Sequence, residues 1–99
     1  MNNTTMAGIT PDHVQDIFDR SALTYEIYGV PPKIVVAVCQ LPNGFIITGQ
    51  GACVDTTAFN EEAGKRVANN QLLDKIWELE GYLLQQHLFD IGRADDFVD

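Results

Sequence analysis

Hydrophobic positions recur at two different periods along this chain, and the change of period near Asp55 divides a β-rich first half from a helical second half. Two apolar arms, residues 34–41 and 45–54, flank Asn43-Gly44, the dipeptide that most strongly signals a two-residue hairpin turn. Such a turn would set Cys39 opposite Thr48 and Cys53 opposite Ile34, with the two sulfurs on opposite faces of the sheet. In the first arm, Ile34, Val36 and Val38 point one way, and Val35, Ala37, Cys39 and Leu41 point the other. Both rows are apolar, so both sheet faces need cover. Gly49 and Gly51 in the second arm fit either a bulge or the close approach of another backbone or a ligand.

Upstream, residues 1–9 read as a flexible start. Thr10, Pro11 and Asp12 then form a helix N-terminus, with Val14, Ile17 and Phe18 along one apolar edge. Residues 23–28 alternate as a strand, which Gly29-Val30-Pro31-Pro32 ends because proline cannot donate into a ladder. Beyond the hairpin, Asp55 or Thr56 can cap a first turn, and Asn60 with Glu61 and Glu62 can open a long helix running to Leu88, about 40 Å at 1.5 Å per residue. Two stripes run along that helix: Leu72, Ile76, Leu79 and Leu83, and Leu73, Trp77, Leu84 and Leu88. One can cover the chain's own sheet, and the other needs a partner. Gly81 interrupts the second half, which a kink or close helix packing would explain. The expected fold class is α+β: a short N-terminal helix, an antiparallel β-hairpin or meander and a long C-terminal helix. It forms one domain over residues 10–91, with an acidic tail over 92–99.

Ninety-nine residues sit near the lower end of the range in which one core is comfortably stable, so a homo-oligomer is expected. Fourteen acidic against six basic side chains leave a net charge of −8, which repels DNA and anionic membranes while allowing a local pocket for one small anion. The longest apolar run, residues 34–39, is too short to cross a bilayer, and the polar N-terminus lacks a signal-peptide core. A soluble, intracellular protein is expected. The two cysteines suit small core residues, the alternative being a reactive thiol.

The sequence offers one local constellation for chemistry. Towards the N-terminal end of the long helix the stripes lead into Lys65 with Asn69 and Arg66 with Asn70, and Phe59 falls near the same side. A ring to stack on a base, amides to read its edge and cations to meet phosphate are the groups that a nucleotide needs. The same residues also suit an aromatic helix staple and a solvated Lys-Arg face, and Asn69 suits a polar residue fixing helix register. His13 and His87 lack partners at metal-ligand spacing, and Glu78 and Glu80 lie on opposite sides of a helix. With no phosphate loop, nucleophile elbow or CxxC, no catalytic residue, metal or cofactor is assigned, and a non-enzymatic protein is expected.

VCQLPNGFIITGQGACVD, then FNEEAGKRVANNQ, then DKIWELEGYLLQQHL resemble, in that order over residues 38–88, a family of small tailed-phage proteins first noted in phages N-four and Sf-six. Relatives often carry proline near Glu78 and arginine near Gln86 or His87, which this chain lacks. The resemblance implies a phage or prophage gene acting in the host bacterial cytoplasm. The chain also resembles the first described Thoeris anti-defence family, whose members form oligomers and sequester cyclic nucleotide immune signals without cleaving them. That resemblance implies that Phe59 stacks a base, that Asn69 hydrogen-bonds, and that Lys65, Arg66 or the Gln86-His87 region meets phosphate. Two classes of function follow. A signal sponge needs a tight small ligand in a pocket shared by chains, whereas a phage accessory or inhibitor protein needs an apolar patch, an acidic surface and a host protein.

Overall fold

The computed structural model describes residues 8–53 and 56–92, which form helix α1 (Pro11–Asp19), strands β1 (Ala22–Tyr28), β2 (Ile34–Gln40) and β3 (Ile46–Ala52), a 3-10 turn (Thr56–Ala58) and helix α2 (Glu61–Asp90). The α+β class is as expected. The Asp55 cap, residues 1–7 of the expected flexible start and residues 93–99 of the tail lie outside the described residues. Ile9, at the end of that start, is buried in the core.

Local chemistry explains where each helix begins. Thr10 holds an extended backbone, and its hydroxyl oxygen accepts the His13 N–H at 3.1 Å, so α1 starts at Pro11, where a missing N–H costs nothing. Asn60 caps α2 in the same way through Ala63 N–H at 3.0 Å, with Glu61 and Glu62 in the positive first turn. From there α2 runs without interruption for 30 residues, through a buried Gly81.

The three strands form an antiparallel sheet in the order β1-β2-β3. Its hairpin differs from expectation by one residue. Leu41 N–H donates to Phe45 O at 2.8 Å and Gly44 N–H to Leu41 O at 2.8 Å, so the loop is Pro42-Asn43-Gly44, with Gly44 at a φ of 95°. This is the three-residue hairpin, a turn followed by a left-handed glycine. Cys39 therefore faces Ile47 instead of Thr48, and Ile34 faces Ala52 instead of Cys53. The slip also changes the geometry of the thiols. Cys53 N–H bonds Lys33 O at 2.9 Å, which puts both cysteines on the same side of the ladder, too far apart along it to bond, and neither is in a disulfide.

α2 lies over β3 and β2, and α1 packs on α2. Ala37 and Cys39 are fully buried against Ala68, Leu72 and Ile76, and Val35, also fully buried, meets α2 at Gly64. No bulge forms at Gly49 or Gly51, whose pairing with Ala37 and Val35 is continuous. The glycines instead let the helix backbone touch the strand: a Cβ on Gly49 would press on Ala68 O, and one on Gly51 on Gly64 O. Gly64 in turn faces Val35, whose Cγ2 would lie 2.8 Å from an added Cβ.

Cover for the second helix stripe comes from within the chain. Leu73, Trp77 and Leu84 are partly buried beside Val14 and Ile17 of α1, while Leu83, of the first stripe, is exposed. On the sheet's other face no element among the described residues packs on the row of Ile34, Val36 and Val38; Ile34 and Val36 are half-buried, and Val38, Tyr28 and Ile46 are exposed.

Candidate functional site

The inward alternation of β1 points Leu23 and Tyr25 toward the helix layer, and the i, i+4 spacing of Lys65 and Asn69 brings both helix residues to Tyr25. Tyr25 Oη–H donates to Asn69 Oδ1 at 2.8 Å, and Lys65 Nζ sits 4.9 Å from the centre of the Tyr25 ring. That bond leaves the Asn69 amide protons unused among the described residues. Lys65 is also bound to Glu61 at 3.0 Å. This hydrogen bond, aided by the Glu61 and Glu62 charges and opposed by partial desolvation, holds the lysine pKa above its ordinary value of 10.5. The ammonium is thus charged throughout the neutral range.

The sequence therefore brought together two of its six nominated side chains and missed the tyrosine that joins them. Phe59 lies just before the Asn60 cap and is half-buried. Arg66 is exposed and makes no ion pair among the described residues. Gln86 and His87 stand apart, roughly 30 Å along α2 from Lys65 at 1.5 Å per residue. Gln86 donates to Asp90 at 2.9 Å, and His87 is exposed near the helix C-terminus.

Concave surface lies at that second end. A cleft of about 270 Å³ opens between the hairpin tip and α2, with Phe45, Leu79, Leu83, Tyr82, Asn43 and Gln86 in its walls. A neighbouring cleft of about 260 Å³ reaches His87 along α2. Glu80 stands at the junction of both, its Oε1 2.8 Å from His13 Nε2, which ties α1 to α2. Neither cleft reaches Phe59, Lys65, Arg66 or Asn69; Tyr25, Lys65 and Asn69 are half-buried among the described residues, and Arg66 is exposed beside them. Among the described residues, no three His, Cys, Asp or Glu side chains are grouped to hold a metal, and no helix is long and apolar enough to cross a membrane.

What the cluster can do is bind. An amide with free donors reads a base edge or a ribose oxygen, an aromatic ring and a cation support stacking, and Arg66 meets charge. No curated protein and no solved structure shows a significant match to the chain. A family match does cover residues 9–88, spanning α1, the whole sheet and nearly all of α2, and the chain belongs to the phage protein (N4 Gp49/phage Sf6 gene 66) family.

Proposed function

We propose that this chain is a phage anti-defence protein that sequesters a small cyclic nucleotide signal, without cleaving it, in the cytoplasm of the infected bacterium. The observation that carries the reading is the Tyr25-Asn69-Lys65 arrangement beside Arg66: an oriented amide, an aromatic ring and two cations on one accessible stretch of a strongly acidic protein. A molecule with net charge −8 concentrates cations around itself, so a local pair of cations is suited to one small anion and ill suited to a long polyanion. Phe59, next to the helix start, supplies the stacking ring in this reading. The resemblance to the Thoeris anti-defence family supports it, and a half-buried cluster that neither cleft reaches accords with a pocket completed by a second copy. Gln86 and His87 of one chain lie too far from Lys65 to share its ligand, and join the site only if they come from another copy.

Calorimetry with linear and cyclic dinucleotides, cyclic trinucleotides and cyclic ADP-ribose isomers tests the proposal. One of these binds more tightly than about 10 μM, roughly −7 kcal/mol. Stacking is worth about 1 to 3 kcal/mol per base, so Phe59→Ala weakens binding by about one to two powers of ten. Heating the complex releases the ligand with its mass unchanged. If no such nucleotide binds, the second reading replaces the first: an accessory or inhibitor protein that grips a host protein. The specific support for that reading is the exposed Phe45, Tyr82 and Leu83 around the hairpin-tip cleft.

A further inference from the structure

The two edges of the sheet are not equivalent. Leu41 N–H bonds Phe45 O and Cys53 N–H bonds Lys33 O, so the odd-numbered residues of β2 direct their backbone groups to β3. The even-numbered residues of β2 therefore face β1, where their partners are Ala22, Thr24, Glu26 and Tyr28. Backbone groups alternate along a strand, which leaves two rows pointing outward: Leu23, Tyr25 and Ile27 on β1, and Ile46, Thr48, Gln50 and Ala52 on β3. On β3, α2 reaches across and engages the middle of the row. Lys75 Nζ donates to Thr48 O at 2.5 Å, and Gln71 Oε1 accepts Gln50 N–H at 2.9 Å. No comparable side chain covers the β1 row among the described residues, and Ile27 is 41% exposed. Open edges template further strand pairing, and among the described residues only the β3 edge is engaged in this way.

We infer that the β1 edge receives the β1 edge of a second copy of this chain, antiparallel and centred on Tyr25, and that the nucleotide site is the groove so formed. The register follows from the residues. Centring on Tyr25 sets Leu23 opposite Ile27 and satisfies all three outward N–H and all three outward C=O groups of each chain. The side chains match as well: Leu23 meets Ile27 on the helix-covered face, and Glu26 meets Thr24 on the other. Centring one residue later opposes Glu26 to itself, and one residue earlier leaves Ile27 outside the ladder. The result is a six-stranded sheet with both helix layers on one face. Because α2 covers β2 and β3 rather than β1, the paired β1 strands floor a groove walled by the two α2 helices. Tyr25 from each copy lies at its centre, with Lys65 and Asn69 beside each ring. The identity of the groove's occupant rests on the function proposed above; the strand pairing does not.

Sedimentation of the full chain and of two variants tests the pairing. Thr24 is exposed and its one neighbour across the ladder within the chain is Val38, so changing it leaves the fold intact. In the pair it faces Glu26 of the second copy twice. Thr24→Glu therefore weakens the dimer about tenfold and Thr24→Lys strengthens it to a similar extent. Amide exchange gives an independent readout: the Leu23, Tyr25 and Ile27 amides slow as the concentration rises through the dimer range. A monomer at tens of μM, equal effects of the two Thr24 variants, or rapid exchange of those three amides in the dimer overturns the inference. Calorimetry separates the two proposals. Nucleotide binding to a chain not paired through β1 sinks the pairing alone, and a β1-paired dimer that binds no nucleotide sinks the functional reading alone.

Discussion

Replacing Gly51 by alanine adds one methyl group at the point where α2 is seated on β3. The new carbon would press on the Gly64 carbonyl oxygen and lie 3.0 Å from both Gly64 C and Cα, all of them backbone atoms of a capped helix. Ordinary carbon contacts lie near 3.5 Å or beyond, so strand and helix must part by roughly 0.5 to 1 Å. Opening that gap withdraws Val35 and Ala68, both fully buried, from their neighbours, and a gap of that size forfeits about a quarter to a half of each dispersion contact. Over-packing usually costs about 1 to 3 kcal/mol, and a contact between two backbones belongs at the upper end, near 3 kcal/mol. Gly64→Ala is the informative comparison. It gains up to about 1 kcal/mol of helix propensity, and its methyl group meets a side-chain atom, Val35 Cγ2 at 2.8 Å, which can give way more readily. A net loss of about 1 to 2 kcal/mol is expected there. Urea unfolding followed by Trp77 fluorescence measures both. With a slope of about 1 to 1.5 kcal/mol/M, Gly51→Ala lowers the midpoint by about 2 M and Gly64→Ala by about 1 M. Adding Val35→Ala to each separates the two causes, because it relieves Gly64→Ala and does nothing for Gly51→Ala. A Gly51→Ala loss below about 1 kcal/mol, or one smaller than that of Gly64→Ala, would refute backbone contact as the reason for these glycines.

Two further outcomes can be read with the same unfolding assay. The raised pKa of Lys65 makes its stabilising contribution fully present below the unfolded value and lost only as pH rises through the folded value, above 10.5, so the stability difference between the natural chain and Lys65→Met stays level from about pH 6 to about pH 9; a slope within that window would show that Glu61 does not hold the ammonium as described. Thr10→Ala removes the only side-chain cap on α1 among the described residues and costs about 1 kcal/mol, a loss that Thr10→Ser restores, whereas equal losses in both variants would assign the effect to something other than the hydroxyl.

The elements of this fold were legible because each has a local cause. Thr10-Pro11 and Asn60-Glu61-Glu62 carry helix starts in their own chemistry, and both helices begin there. Pairing register was harder to read. Asn43-Gly44 points to a two-residue turn, yet Pro42 fits the second position of an ordinary turn, and the observed loop spends it there, with Asn43 Oδ1 accepting Phe45 N–H at 3.0 Å. The signal was thus present in the residue before the dipeptide. Gly49 and Gly51 were ambiguous for a different reason: the sequence shows that a side chain is missing but not what occupies its space. Only the structure places Gly64 and Ala68 there.

The candidate site shows the same boundary between local and distant information. Lys65 and Asn69 share a helix face by spacing alone, so their association could be read directly from the chain. Tyr25 lies 44 residues from Asn69, and no periodicity links a strand residue to a particular helix residue before the sheet and its covering layer are known. Yet Tyr25 changes what the pair can do, because it fixes the Asn69 amide and offers Lys65 a ring as well as a carboxylate. It also belongs to the outward row of β1, so in the proposed dimer the residue that orders the site within one chain would also be the residue about which two chains pair. A protein of this size and charge has little core to spend on a private pocket. Closing the cluster by the proposed strand pairing would give it an enclosed site without enlarging that core. Ligand binding and assembly then become linked: a ligand held by both copies tightens the dimer by as much as the dimer tightens the ligand.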